Sequence, residues 1–133
     1  NAVFSSTRAP FCASKGKRTM TKITTHVLDI SLAKPAANIK IVLEALSPQS
    51  SKKIIAEGLT NTDGRITPSL YEGKVLDPGL YGISFSLANY FASSNRASLY
   101  PFVMVHFMLE HPEEHFHLPL LISPGGYSTY RGS

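Results

Sequence analysis

The chain has 133 residues, one cysteine, no tryptophan and a formal net charge of +4. That length fits one domain with enough interior to fold without disulfides or metals, and Cys12 alone rules out an intrachain disulfide and a zinc–thiolate cluster. The positive charge does not mark a nucleic-acid binder. Arg8, Lys15, Lys17, Arg18 and Lys22 put +5 into residues 1–22 with no acid, while residues 23–133 hold eight Lys and Arg against nine Asp and Glu, a net of −1.

Residues 1–20 are polar, acid-free and without period. They read as a flexible N-terminal extension, either a transit-like presequence or a stretch ahead of an internal start at Met20, with the folded domain over residues 21–133. Residues 24–29 (TTHVLD) are strand-like, with Val27 toward the core and His26 on the opposite face. Ile39, Ile41, Leu43 and Ala45 alternate with Lys40, Val42, Glu44 and Leu46, a half-buried strand. Asn61-Thr62-Asp63-Gly64-Arg65 is a turn in which Gly64 can take φ > 0. Tyr81, Ile83, Phe85 and Leu87 alternate with Gly82, Ser84 and Ser86, a second half-buried strand. Residues 87–94 (LANYFASS) could hold a couple of helical turns.

Residues 102–109 (FVMVHFML) are apolar on both faces, which predicts a central strand or one covered by a partner subunit. That run is far too short to span a membrane. Turn signals separate the runs, at Lys34-Pro35, Ser47-Pro48, Asp77-Pro78-Gly79, Ser94-Asn95, His111-Pro112 and Pro124-Gly125-Gly126. About eight short strands predict an all-β sandwich or barrel. With no secretory apolar segment and no Asn-x-Ser/Thr site, an intracellular protein is favoured.

The chemistry concentrates in residues 115–133 (HFHLPLLISPGGYSTYRGS). His115 and His117 are two apart at the start of an apolar strand, so their imidazoles project from one face. Tyr130, Arg131 and the Ser133 carboxylate put polar groups at a chain end, where fraying is the rule. Each feature also has a bland reading: a lone strand histidine such as His26 is usually structural, a turn arginine such as Arg65 is usually solvated, and a tail is usually a tail.

Taken together, THVLD at 25–29, NTDGR at 61–65, HFHLPLLIS at 115–123 and YSTYRGS at 127–133 resemble one family closely, the 5-hydroxyisourate hydrolases of the transthyretin-like proteins. The first, third and fourth motifs belong to the hydrolases and are lost in hormone-carrying transthyretins. The resemblance spans residues 21–133 in the family's order and spacing. It implies a transthyretin-like sandwich of two four-stranded sheets with one short helix, assembled as a homotetramer with active sites where subunits meet. It implies hydrolysis of 5-hydroxyisourate to 2-oxo-4-hydroxy-4-carboxy-5-ureidoimidazoline in urate degradation, with no cofactor, no nucleic acid and no membrane. Position by position, His26, Arg65 and His117 match the catalytic residues, and Tyr130 and Ser133 join His26 and Arg65 in holding substrate. His115 is expected to stand behind them in a supporting role.

The residue types suit that chemistry. One imidazole, titrating near neutrality, can take a proton from water and a second can protonate the leaving ring nitrogen. Arg65 would anchor ring oxygens and offset charge on the attacked carbonyl. No Gly-x-Ser-x-Gly elbow announces a covalent nucleophile. Two alternatives stay open: a zinc-dependent cyclic amide hydrolase using His26, His115 and His117, and a non-catalytic carrier of a small ligand. The compartment also stays open between cytoplasm and peroxisome, because the terminal Arg131-Gly132-Ser133 is not a Ser-Lys-Leu type signal.

Overall fold

The computed structural model describes residues 20–46 and 52–132. Of the extension expected over residues 1–20, Met20 opens β1 and the rest lies outside the described residues, as do the Ser47-Pro48 turn and Ser133. The elements run β1 (Met20–Asp29), β2 (Lys34–Pro35), β3 (Lys40–Ala45), β4 (Lys53–Leu59), β5 (Tyr71–Lys74), β6 (Gly79–Ser86), α1 (Ala88–Ser93), β7 (Phe102–Leu109), β8 (His115–Ser123) and β9 (Gly126–Thr129). Two sheets form: β2-β1-β8-β9, with β5 also paired to β1, and β4-β3-β6-β7. The sandwich expected from the sequence is the one observed, with the two-residue β2 as a fifth strand on the first sheet.

Period-two alternation decides which side chains meet between the sheets. In β1, Thr21, Ile23, Thr25, Val27 and Asp29 are buried, and the residues between them are half-exposed. Ile41 and Leu43 of β3, Ile83 and Phe85 of β6, and Leu120 and Ile122 of β8 complete the same interior, each at most 1% exposed. Each such side chain contributes about 1.5–3 kcal/mol through burial. α1 adds Phe91 to this core and stops where Asn95 adopts φ 56°, a left-handed conformation that Asn tolerates better than most residues.

Of the two alternatives expected for residues 102–109, the first is corrected. β7 is not a central strand: it pairs only with β6 and forms an edge of the second sheet. Val103 and Leu109 face the core, while Phe102 and Met108 are each 56% exposed. An apolar pattern on both faces marks burial by something, and here the chain's own second layer covers only one face.

The site-bearing strands are locked at one end by Asp29, whose side chain has no solvent exposure. Its carboxylate accepts from the Ser31 hydroxyl at 2.6 Å, the Tyr90 hydroxyl at 2.7 Å and the Arg96 guanidinium at 2.8 Å. Burial alone would raise its pKa. The hydrogen bonds from Arg96, Ser31 and Tyr90 outweigh that and bring it down to about 2. The network ties the end of β1 to α1 and the loop after it. Among the described residues, no helix is long and apolar enough to cross a membrane.

Candidate active site

The site lies on the face of the first sheet turned away from the core. β1 and β8 run parallel in a register that sets Lys22 beside His115, Thr24 beside His117 and His26 beside Pro119. Strands about 90 residues apart in sequence thereby bring three imidazoles onto one surface.

Arg65 arrives on a turn built to dock there. The Asn61 side-chain oxygen accepts from the Asp63 and Arg65 backbone N–H groups at 2.8 and 3.2 Å, an Asx-type closure. Gly64 takes φ 74°, and its carbonyl accepts from Val27 N–H at 2.8 Å. A Cβ at this glycine would lie 2.4 Å from the Val27 carbonyl oxygen, so only glycine permits the approach. The result is an isolated antiparallel bridge between His26 and Arg65.

The chain end is equally fixed. β9 pairs with β8 as Leu120 with Thr129, and the isolated bridge of His117 with Gly132 continues that register, since both pairs sum to 249. Gly132 N–H donates to the His117 carbonyl at 2.7 Å. A Cβ on Gly132 would lie 2.6 Å from His117 Cδ2, so this glycine lets the tail lie flat against the ring. Arg131 faces the other way: it donates to Glu114 Oε1 at 3.1 Å and to the His115 carbonyl at 3.2 Å, with its guanidinium 4.3 Å over the Phe116 ring. It clamps the tail rather than joining the histidines. Tyr130 alternates with Arg131 onto the histidine side and is 56% exposed.

Both facing imidazoles are pushed toward their neutral forms. His117 is lowered first by partial burial, then by the charges of Arg65, His26 and His115. His26 is lowered by burial and by Arg65, against an opposing pull from a hydrogen bond to the Asp63 backbone and the Asp63 charge. A neutral imidazole with a lone pair beside a fixed guanidinium can accept a proton from water and leave the cation to meet developing negative charge.

Sequence reasoning named His26, Arg65, His115, His117 and Tyr130, and the fold brings all five to this surface. It missed Thr24, whose hydroxyl sits 2.8 Å from His117 Nδ1 and 2.9 Å from His115 Nε2. The sequence put Thr24 two residues before His26 and on its face, but not beside His117. His26, His115 and His117 are not a three-histidine metal set with ligand atoms all within 4.8 Å of one another. Among the described residues, the one group of three such side chains with ligand atoms within 4.8 Å of one another is His111, Glu113 and Glu114, beyond the end of β7.

A two-sheet sandwich carrying paired histidines and a turn arginine on one sheet face defines a transthyretin-like protein of the hydrolytic kind. The sequence matches the family model for the HIUase/Transthyretin family over residues 23–132, and the chain belongs to that family. It is 40% identical over 116 residues to the 5-hydroxyisourate hydrolase of Halalkalibacterium halodurans, covering 84% of this chain and 98% of that one. The solved structure of Klebsiella pneumoniae 5-hydroxyisourate hydrolase superposes with a TM-score of 0.71 at 34% identity, covering 85% of this chain and 94% of its own. A crystal structure of (S)-allantoin synthase matches with a TM-score of 0.79 at 33% identity, over 88% of this chain and 45% of that longer one.

Proposed function

We propose that this chain hydrolyses 5-hydroxyisourate to 2-oxo-4-hydroxy-4-carboxy-5-ureidoimidazoline, a step of urate degradation. The observation that carries the reading is the convergence of His26, Arg65 and His117 on one open face, with both imidazoles biased to the neutral form. Water attacks a carbonyl of the planar ring while one imidazole takes its proton. The carbonyl oxygen becomes an oxyanion, offset by Arg65, an interaction of a kind worth about a hundredfold to a thousandfold in rate. Collapse of that intermediate breaks the ring C–N bond, and the leaving nitrogen is protonated through the second imidazole, which takes a proton from solvent at one nitrogen as it gives one from the other. Tyr130 and Ser133 complete the grip on the substrate's polar edge.

The reading includes a homotetramer with the site at a subunit interface. Two features support it. A single chain leaves the histidine face open, whereas a planar substrate is held best with a second wall. The edge strands β7 and β9 also expose Phe102, Met108 and Tyr127, apolar surface suited to a partner chain. The test is the decay of ultraviolet absorbance of freshly generated 5-hydroxyisourate. The chain should accelerate it far beyond the spontaneous rate, and ligand binding without acceleration would identify a carrier instead.

A further inference from the structure

A threonine hydroxyl carries one proton and two lone pairs. The Thr24 Oγ1 lies between two imidazole nitrogens, 2.8 Å from His117 Nδ1 and 2.9 Å from His115 Nε2. It can donate to one ring and accept from the other, but it cannot donate to both. Whenever that hydrogen lies between the rings, the protonation of His117 is coupled to that of His115.

Two neutral arrangements place the hydroxyl hydrogen between the rings; in a third, Thr24 accepts from both rings and donates elsewhere. In the first, His117 Nδ1–H donates to Thr24, Thr24 O–H donates to His115 Nε2, and His117 Nε2 keeps its lone pair. In the second, Thr24 O–H donates to His117 Nδ1, His115 Nε2–H donates to Thr24, and His117 Nε2 carries a hydrogen. We propose that Thr24 is a positioning residue that holds His117 in the first arrangement, ready as a base, and links it to His115 as a proton relay. This deepens the proposed hydrolase reading and rests on it for its catalytic consequence.

The step balances. His117 Nε2 takes a proton from the attacking water, His117 Nδ1 passes its own to Thr24 Oγ1, and Thr24 passes its hydroxyl proton to His115 Nε2. His115 passes its Nδ1 proton on toward solvent, and the system has moved from the first arrangement to the second. No charged imidazolium need persist beside Arg65, which opposes a positive ring at this position. The charged and titratable groups around the pair are Lys22 and His26 from β1, Arg65 from the turn, and Glu114 and Arg131 beside His115.

The experiment compares the full-length chain with Thr24→Val, which keeps the shape and loses the hydroxyl, and Thr24→Ser, which keeps the hydroxyl. The first readout is the nitrogen NMR shifts of the His117 ring in the protein without substrate, which report the tautomer whether or not the substrate assignment holds. The original chain and Thr24→Ser should show His117 protonated on Nδ1, and Thr24→Val should lose that preference. The second readout is hydrolysis of 5-hydroxyisourate. kcat should fall roughly tenfold to a hundredfold in Thr24→Val, the scale for removing the partner that orients a functional imidazole, with KM little changed and the acid limb of the pH profile displaced. Thr24→Ser should recover most of the rate. An unchanged tautomer in Thr24→Val, or an unchanged kcat and pH profile, overturns the relay. Absence of turnover in the original chain would instead overturn the substrate assignment, with the tautomer readout still deciding the role of Thr24.

Discussion

Replacing Gly64 with alanine tests whether the turn that delivers Arg65 is held by backbone contact. The new Cβ would meet the Val27 carbonyl oxygen at 2.4 Å, closer than real Cβ atoms come, and that oxygen belongs to a buried strand that cannot swing aside. The turn must retreat by close to 1 Å. Holding alanine at φ 74° costs about 1–2 kcal/mol, and weakening the Val27 N–H to Gly64 carbonyl bond costs about 1 kcal/mol more. A total of about 2–3 kcal/mol should lower Tm by roughly 10 °C in a domain of this size. Because Arg65 moves with the turn, the rate should fall by about a hundredfold, the penalty for a 1 Å misplacement of a catalytic group. Thermal unfolding by circular dichroism and steady-state hydrolysis, run beside Gly125→Ala, make the assay; a Cβ at Gly125 meets nothing within 4 Å, so that control should match the original chain. A Gly64→Ala protein with unchanged Tm and rate would refute the docking argument.

Further outcomes can be checked in the same preparations. The lowered pKa values of His26 and His117 keep both rings neutral below their ordinary 6.5, so the acid limb of kcat/KM should fall below pH 6.5; Arg65→Gln should move it upward and slow turnover by a hundredfold or more, and an unmoved limb would contradict the electrostatic account. Asp29→Asn should cost about 2 kcal/mol, read by urea unfolding. In the original chain that stabilisation is present above pH 3.8 and lost as pH falls toward about 2, since the folded carboxylate titrates below its unfolded value. Deleting residues 130–133 should cripple turnover and leave the sandwich folded, because the described residues of this segment add no buried core side chain; full activity in the truncated chain would remove the tail from the site.

Much of this was legible because half-buried strands write their burial into the sequence. Val27 against His26 and Phe116 against His117 alternate as the structure has them, so the face carrying each histidine could be read directly. Which strands sit side by side could not. The parallel pairing of β1 with β8 joins segments with no local signal between them, and it alone makes Thr24 a neighbour of His117. Threonine is common in strands, so the residue gave no alarm. The anchoring of the tail is also sequence-blind, since backbone bonds from Gly132 to His117 extend the β9 register regardless of side chain. β7 was legible only as an alternative, a central strand or one covered by a partner subunit, because an apolar pattern cannot say whether the covering surface belongs to the same chain. The Asp29–Arg96 lock escaped notice for want of any motif: the two residues meet only after α1 folds back on β1.

The most direct measurement is the decay of freshly generated 5-hydroxyisourate with the original chain, His26→Ala, His117→Ala, their double variant and His111→Ala in parallel. The account predicts strong acceleration by the original chain and by His111→Ala. It predicts a loss of roughly a hundredfold or more in each active-face variant, with the double variant losing less than the product of the two. No acceleration by the original chain, or His111→Ala failing as badly as His117→Ala, would contradict it.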